Sequence, residues 1–480
     1  MSAQNGETKD SLVVCQNNQG LTIHASLLRL TRYLAVFEIY NPSLVLRMSE
    51  VLSDFKIIIQ DHVVYSGQAL VSNLVSASTV IICEVKLDEA GLSLTPLNSS
   101  LNAGLSLRGH FNDFLSQWQK FYRVLPEFRD VMGDMQSFLI DLRIWLDQVE
   151  LGIRSSPSAD RQQLGRKVID DLAEPIVHGI DTFIERFEAI AEKVEEDLRG
   201  VHAAYLRRQL HPLVLSAPFA YRAYQKPLGY AGDYELVDMM IRPPYEGSTL
   251  FAKVLNVWLI GQAPACAHRN RVDYLVRKLL EETVRVKALG RTARVYNLGC
   301  GPAAEIQRFL KEQAIADHTK FTLLDFNEET LAHLRAALDG AKRTYGRSTP
   351  IQCLKRSVQQ VLKEAGKSVP RTPANEYDFI YCAGLFDYLS DQMCKRLMDI
   401  FYNLLAPGGL LVATNVSDAM NTSRPFRYSM EYILDWHLIY RGGRQFGALA
   451  PDRAPPDSVK VLAEPTGVNV FIEVRKPRDG

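Results

Sequence analysis

The stretch VYNLGCGPAAE, Val295 to Glu305, decides how the carboxy-terminal part of this chain is read. Four largely apolar residues run into a turn with glycines at 299 and 301, and a helical pattern follows directly. A buried strand that ends in such a turn brings bare backbone close to a ligand, and an adenosine-bearing molecule is the expected occupant.

Working outward, strand and helix alternate from Arg269 onward. The pattern predicts strands at ARVYNLG, FTLLDF, PIQCLKR, YDFIYCAGLF and GGLLVATNV, with amphipathic helices at VRKLLEETVR, AAEIQRFLKEQ, NEETLAHLRAALDGA, SDQMCKRLMDIFYNLL and EYILDWHLIYR. Continuously apolar strands between such helices imply a parallel sheet covered on both faces, with ligands at the carboxyl ends of its strands. The terminal SVKVLAEPTGVNVFIEVRK adds two β runs joined by a Pro-Thr-Gly turn. The fold class is α/β, a Rossmann-like, mostly parallel seven-stranded sheet closing on an antiparallel hairpin.

Gly299, Gly301 and Ala304 satisfy G-x-G-x-x-G/A, so the glycines alone leave a dinucleotide and S-adenosylmethionine both open. Pro302 removes an amide where a pyrophosphate wants donors, and Glu305 adds negative charge at the same place. A sulfonium cofactor tolerates both. Asp325, ending the second strand, suits ribose hydroxyls of either cofactor; the closing hairpin favours S-adenosylmethionine.

Ahead of this region lie three others. Residues 1–105 are β in texture, short Val- and Ile-rich runs split by Asn, Gly, Asp and Ser, with a helical pattern only around 44–52, and read as a small barrel or sandwich. Residues 106–212 change to helical period and read as a bundle, FNDFLSQWQKFYRVL included; Pro157 separates the second helix from the third, and Pro175 is expected to kink or divide the third. Residues 213–285 crowd Tyr221, Tyr224, Tyr230, Tyr234 and Tyr245 among glycines and prolines, the build of a cap over a ligand site, and residues 286–480 form the α/β domain.

From Tyr221 to Pro477 the sequence resembles a bacterial class I S-adenosylmethionine-dependent methyltransferase, on NLGCGPAAE, LLDF, YDFIYCAGLFDYL and LAPGG. More narrowly, KPLGYAGDYE, GLFDYLSD, EYILDWHLIYR and EPTGVN resemble the family labelled as making 3-hydroxypalmitic acid methyl ester, an extracellular factor. The amino-terminal strands are loosely similar to PilZ barrels, which bind cyclic di-guanylate. Arg29 and Arg32 stand three apart where that family has two arginines four apart.

The resemblance implies a set of contacts. Asn297, Gly299 and Gly301 would lie against the methionine end and ribose, Asp325 would hold the ribose hydroxyls, and Phe326 would pack near the adenine. Ser357 and Val358 match the position beside the adenine amine, where the family usually has Asp or Asn. Ala383 and Gly384 would approach the cofactor by backbone, and Arg271 would pair with its carboxylate. Asp387, Tyr388, Tyr230 and Glu431 are the candidate catalytic or substrate-facing groups. Asn415, His437, Tyr440, Arg424 and Arg427 are placed in the same general region.

Composition narrows the function further. The 480 residues carry 55 basic and 55 acidic side chains, so no general field draws nucleic acid or an anionic membrane. Seven scattered cysteines without paired spacing suit a reduced protein and no metal site. Neither a signal-peptide pattern nor an apolar run long enough to span a bilayer is present, so a cytoplasmic place is expected. The expectation is methyl transfer from S-adenosylmethionine, leaving S-adenosylhomocysteine, to a carboxylate or hydroxyl of a small molecule such as a 3-hydroxy fatty acid. A homodimer through the helices or barrel is a further expectation. The alternatives are a regulatory protein that senses S-adenosylmethionine or a cyclic dinucleotide, and a methyltransferase of another metabolite or natural product.

Overall fold

The computed structural model describes residues 11–16, 22–31, 34–39, 50–59, 62–77, 80–87, 112, 124–365, 376–418 and 426–478. The chain divides into two compact units, Met1–Arg123 with Pro227–Tyr230, and Val124–Lys226 with Ala231–Gly480.

Among the described residues the first unit holds six strands, β1 (Ser11–Gln16), β2 (Thr22–Leu30), β3 (Leu34–Ile39), β4 (Val51–Ile59), β5 (His62–Ala77) and β6 (Val80–Leu87). They close into a barrel in the order β1-β2-β3-β6-β5-β4, with β1 paired back onto β4. Alternation builds it: in β3, Ala35, Phe37 and Ile39 point inward and the residues between them outward. Phe55 packs against Phe37 and Tyr65 at ring-centroid distances of 5.6 and 5.9 Å. Of the helix expected around 44–52, residues 41–49 lie outside the described residues, while Val51 and Leu52 open β4. Arg29 is exposed on β2, and Arg32 lies outside the described residues.

The second unit begins with α1 (Pro126–Arg154), α2 (Arg161–Ala191) and α3 (Glu196–Val214). Most of FNDFLSQWQKFYRVL lies outside the described residues. Pro175 does not divide its helix; α2 runs through it, and the chain breaks instead at 192–195. The apolar face with Ile169, Ile176, Ile180, Ile184 and Phe187 stays buried along the whole helix, which offsets the one amide bond a proline removes. Next come α4 (Pro218–Gln225), α5 (Tyr234–Ile241), α6 (Leu250–Gly261) and α7 (Ala263–Lys287). One continuous core joins these helices, from Phe128 and Phe187 through Trp258 to Tyr432 and Trp436. Among the described residues no single helix is long and apolar enough to cross a membrane. The successive pair α6 and α7 meets that length and composition only together, across a 58° bend.

The α/β part follows as β7 (Ala293–Leu298), α8 (Ala304–Glu312), β8 (Thr319–Asp325), α9 (Glu328–Tyr345), β9 (Ile351–Lys355), α10 (Val358–Ala365), β10 (Tyr377–Cys382), α11 (Asp391–Leu404), β11 (Leu405–Val416), α12 (Arg427–Ile433), α13 (Gly443–Gly447), β12 (Val459–Ala463) and β13 (Asn469–Arg475). Seven strands form one sheet in the order β12-β13-β11-β10-β7-β8-β9, and β13 runs antiparallel to both neighbours. The predicted parallel sheet with a closing hairpin is what the chain forms. Continuous burial of β10, YDFIYC, and near-continuous burial of β11 reflect cover on both faces. The expected helix EYILDWHLIYR is shorter: α12 ends at Ile433, and Asp435 takes a left-handed φ of 52°. Lys226 and Arg207 hold that turn by ion pairs to Asp435 at 2.7 and 2.8 Å.

Candidate functional site

The carboxyl ends of β7, β8, β10 and β11 meet at one edge of the sheet, where the strand order reverses beside β7. Gly299 and Gly301, with φ of 71° and 52°, turn the chain there. The amides of Gly299 and Cys300 both donate to the Leu324 carbonyl, at 2.8 and 3.1 Å, which pins the turn to β8. Leu385 lies 3.3 Å from where a Gly299 Cβ would stand, so only glycine leaves the turn open.

Asp325 is buried at the end of β8. Its Oδ2 accepts from Gly301 N at 3.1 Å and Oδ1 from Asn327 N at 3.0 Å, leaving lone pairs on both oxygens. Burial pushes its carboxyl up, and these amides pull it partly back. Phe326, next in sequence, is 43% exposed. Asn297 is buried, and its Oδ1 has no partner. Ser357 caps the next helix: Gln360 N donates to its hydroxyl at 3.3 Å and its own amide donates to Gln360 Oε1 at 2.9 Å. That reciprocal cap starts α10, and Val358 packs against the sheet core.

Beyond β10, Ala383 is half-buried and Gly384 has a φ of 85°. A Cβ on Gly384 would come within 3.0 Å of the Arg271 guanidinium. Arg271 reaches this point from α7, donating to His268 Nδ1 at 2.6 Å, near Asp387 and Glu305. Glu305 is itself buried and accepts from the Tyr381 hydroxyl at 2.7 Å. Burial pushes its carboxyl up.

Asp387 sits in a short turn after β10, its Oδ1 accepting from Val416 N at 2.6 Å. Burial raises its carboxyl to about 6 against the opposing pull of that amide, Arg271 and Arg441. Arg441, fully buried, staples the turn: it donates to the Phe386 carbonyl and Asn415 Oδ1 at 2.8 and 2.7 Å, and to Asp391 Oδ1 at 2.8 Å. Tyr388 donates to the Ala231 carbonyl at 3.1 Å and accepts from Trp436 Nε1 at 2.9 Å, which holds the start of the cap beside the turn.

A cavity of about 780 Å³, open mouth included, begins at Arg271, Gly384 and Asp387 and extends between the helices and α12. Phe219, Met240, Leu259, Phe426, Leu434 and Trp436 give it an apolar wall, while His268 and Asn469 add polar groups. Asp387, Tyr388, Arg271 and Gly384 are therefore brought together. Glu431 does not line the cavity; its carboxylate accepts from Arg427 at 2.9 Å, and Arg427 lies 4.5 Å over the Tyr440 ring. Tyr230 is half-buried in Pro227–Tyr230, which belongs to the other unit. Asn415 supports the Arg441 staple, His437 is exposed beside Asp435, and Arg424 lies outside the described residues.

Residues 296–411, from β7 to β11, match the family model of a methyltransferase domain. Over those residues the chain is similar to methyltransferase domains. None of the curated proteins matches the sequence. Solved structures with partial likeness include a possible exported protein from Bordetella parapertussis, at 14% identity over 58% of this chain and 97% of that one, TM-score 0.40. The N-methyltransferase NodS from Bradyrhizobium japonicum aligns at 15% identity over 43% and 96%, TM-score 0.27. The methyltransferase SibL aligns at 18% over 58% and 77%, TM-score 0.33.

A methyltransferase domain needs a methyl donor, and the residues present fit S-adenosylmethionine. Asp325 has lone pairs free for two hydroxyls, Asn297 has an unmet buried oxygen, and Arg271 presents a cation at Gly384. Among the described residues no group of His, Cys, Asp and Glu could hold a metal ion. The sequence reading missed His268, Asn469, Arg441 and Trp436. His268 carried a signal, since it stands three residues before Arg271 and so on the same helical face.

Proposed function

We propose that this enzyme methylates an oxygen, carboxylate or hydroxyl, at the polar end of an apolar small molecule. The observation that carries this is the apolar cavity whose polar end, Arg271 and Asp387, lies at the Gly384 backbone. S-adenosylmethionine, when bound, supplies an electrophilic methyl group. Asn297, Asp325 and Arg271 hold it, Gly384 lets it approach, and the cavity wall excludes water and aligns the acceptor. Alignment alone can lower such a barrier by about 7–11 kcal/mol.

Asp387 has two roles according to the acceptor. Toward a hydroxyl, it takes the proton as the oxygen attacks. Toward a carboxylate, which has no proton to lose, it orients a neighbouring hydroxyl. Tyr388 keeps the cap over the acceptor. The resemblance of GLFDYLSD and EPTGVN to the 3-hydroxypalmitic acid methyl ester family supports a 3-hydroxy fatty acid as that acceptor.

The test is incubation of the purified protein with a methyl-labelled donor and either long-chain 3-hydroxy acids or a cell extract, read by mass spectrometry. One labelled methyl on an organic-soluble acid is expected. Donor binding with no labelled product from any source would overturn the proposal in favour of a sensing role.

A further inference from the structure

Two buried polar atoms of the cavity have no partner, and the methyl transfer described above uses neither. His268 and Asn469 both line it, are 8% and 3% exposed, and leave His268 Nε2 and Asn469 Oδ1 without a hydrogen bond. Leaving such atoms unmet against an apolar wall is costly, and a ligand that meets them recovers the cost.

The surroundings decide what each atom offers. Arg271 Nη2 lies 2.6 Å from His268 Nδ1, and a guanidinium has only N–H groups to give. Nδ1 therefore accepts, and the ring proton sits on Nε2. Burial, with Arg271 and Arg269 close by, holds the imidazole well below its usual range, so the ring stays neutral. Nε2–H is a fixed donor and neither a base nor a cation. Asn469 opens β13, its backbone amide donating to Glu464 Oε1 at 3.1 Å. Glu464 also accepts from Asn270 on α7 at 2.8 Å, which keeps the hairpin turn against the helix that carries His268.

Resting on the methyl-transfer reading, we infer that His268 and Asn469 select the acceptor by its head group. His268 Nε2–H donates to an oxygen of that head, and Asn469 Oδ1 accepts from a hydroxyl or N–H beside it. The preferred acceptor thus carries an oxygen and a hydrogen-bond donor together on an apolar body, and a body with the oxygen alone binds less well.

The probes are a long-chain 3-hydroxy acid and the same acid without its hydroxyl, bound calorimetrically to the full-length protein with S-adenosylhomocysteine present. His268→Leu is expected to weaken both acids roughly tenfold to a hundredfold and the donor by less, since it also removes the acceptor that positions Arg271. His268→Gln, which keeps an N–H, should restore much of the loss, and Asn469→Ala should weaken only the hydroxy acid. The inference is overturned if His268→Leu leaves acid affinity unchanged, if it weakens the donor as much, or if neither acid binds the parent protein. Acids that bind with the expected pattern yet are never methylated would remove the methyl-transfer reading and leave the head-group pair standing. Acids methylated with unaltered KM in the variants would do the reverse.

Discussion

Asp387, the base of the proposed reaction, stands in an unfavourable place for a charge. Its carboxyl stands at about 6 because burial disfavours the ion, although Val416 N, Arg271 and Arg441 partly relieve it. For a hydroxyl acceptor the ionised form is needed, so kcat/KM should fall as pH drops through about 6, and Asp387→Asn should abolish turnover of that acceptor. Stability runs the other way. A folded-state value raised from 3.8 contributes stability that is complete at low pH and lost as pH rises through about 6. Asp387→Asn still offers an oxygen to Val416 N and should melt no lower than the parent at pH 8 in a thermal scan. Asp325 carries the parallel prediction for the cofactor: Asp325→Ala should raise the donor Kd about tenfold to a hundredfold by calorimetry, the loss of charge-assisted hydrogen bonds.

At the scale of elements, turns hold the site, and two residues hold the turns. Gly384 needs a φ of 85° and space for Arg271, so Gly384→Ala should cost about 1–2 kcal/mol of stability and weaken donor binding by displacing the guanidinium. Arg441 fixes the turn bearing Asp387 through carbonyls and carboxylates alone. Its replacement by alanine orphans buried acceptors, and we expect about 2–4 kcal/mol lost in denaturant unfolding together with a lower kcat. Glu188 on α2 does similar work for α12, accepting from Tyr428 N, Ser429 N and the Ser429 hydroxyl at 3.0, 2.7 and 2.7 Å. These supports were hard to read in sequence because each joins residues far apart in the chain. The Ser357 cap, by contrast, is the local pattern S-x-x-Q, visible in SVQQ.

For the whole molecule, the helices expected as a separate bundle and cap share one core with residues around α12. Arg207 donates to the Tyr432 carbonyl at 2.7 Å and His211 lies 2.8 Å from that of Ile433, so α3 is bonded directly to the α12 segment. A fragment of residues 286–480 should therefore fail to melt cooperatively by circular dichroism, whereas residues 124–480 should fold and bind the donor. What the sequence determined by itself was local and periodic. Buried strands alternating with amphipathic helices specify the sheet, the Gly-x-Gly turn and Asp325 specify the carboxyl ends of its first two strands, and the closing β runs specify the hairpin, each within one short stretch of chain. The tertiary structure alone decided which distant side chains share the cavity. His268, Trp436 and Asn469 come from a helix, a loop and a strand, and their meeting depends on packing across the core, which no periodicity along the chain encodes.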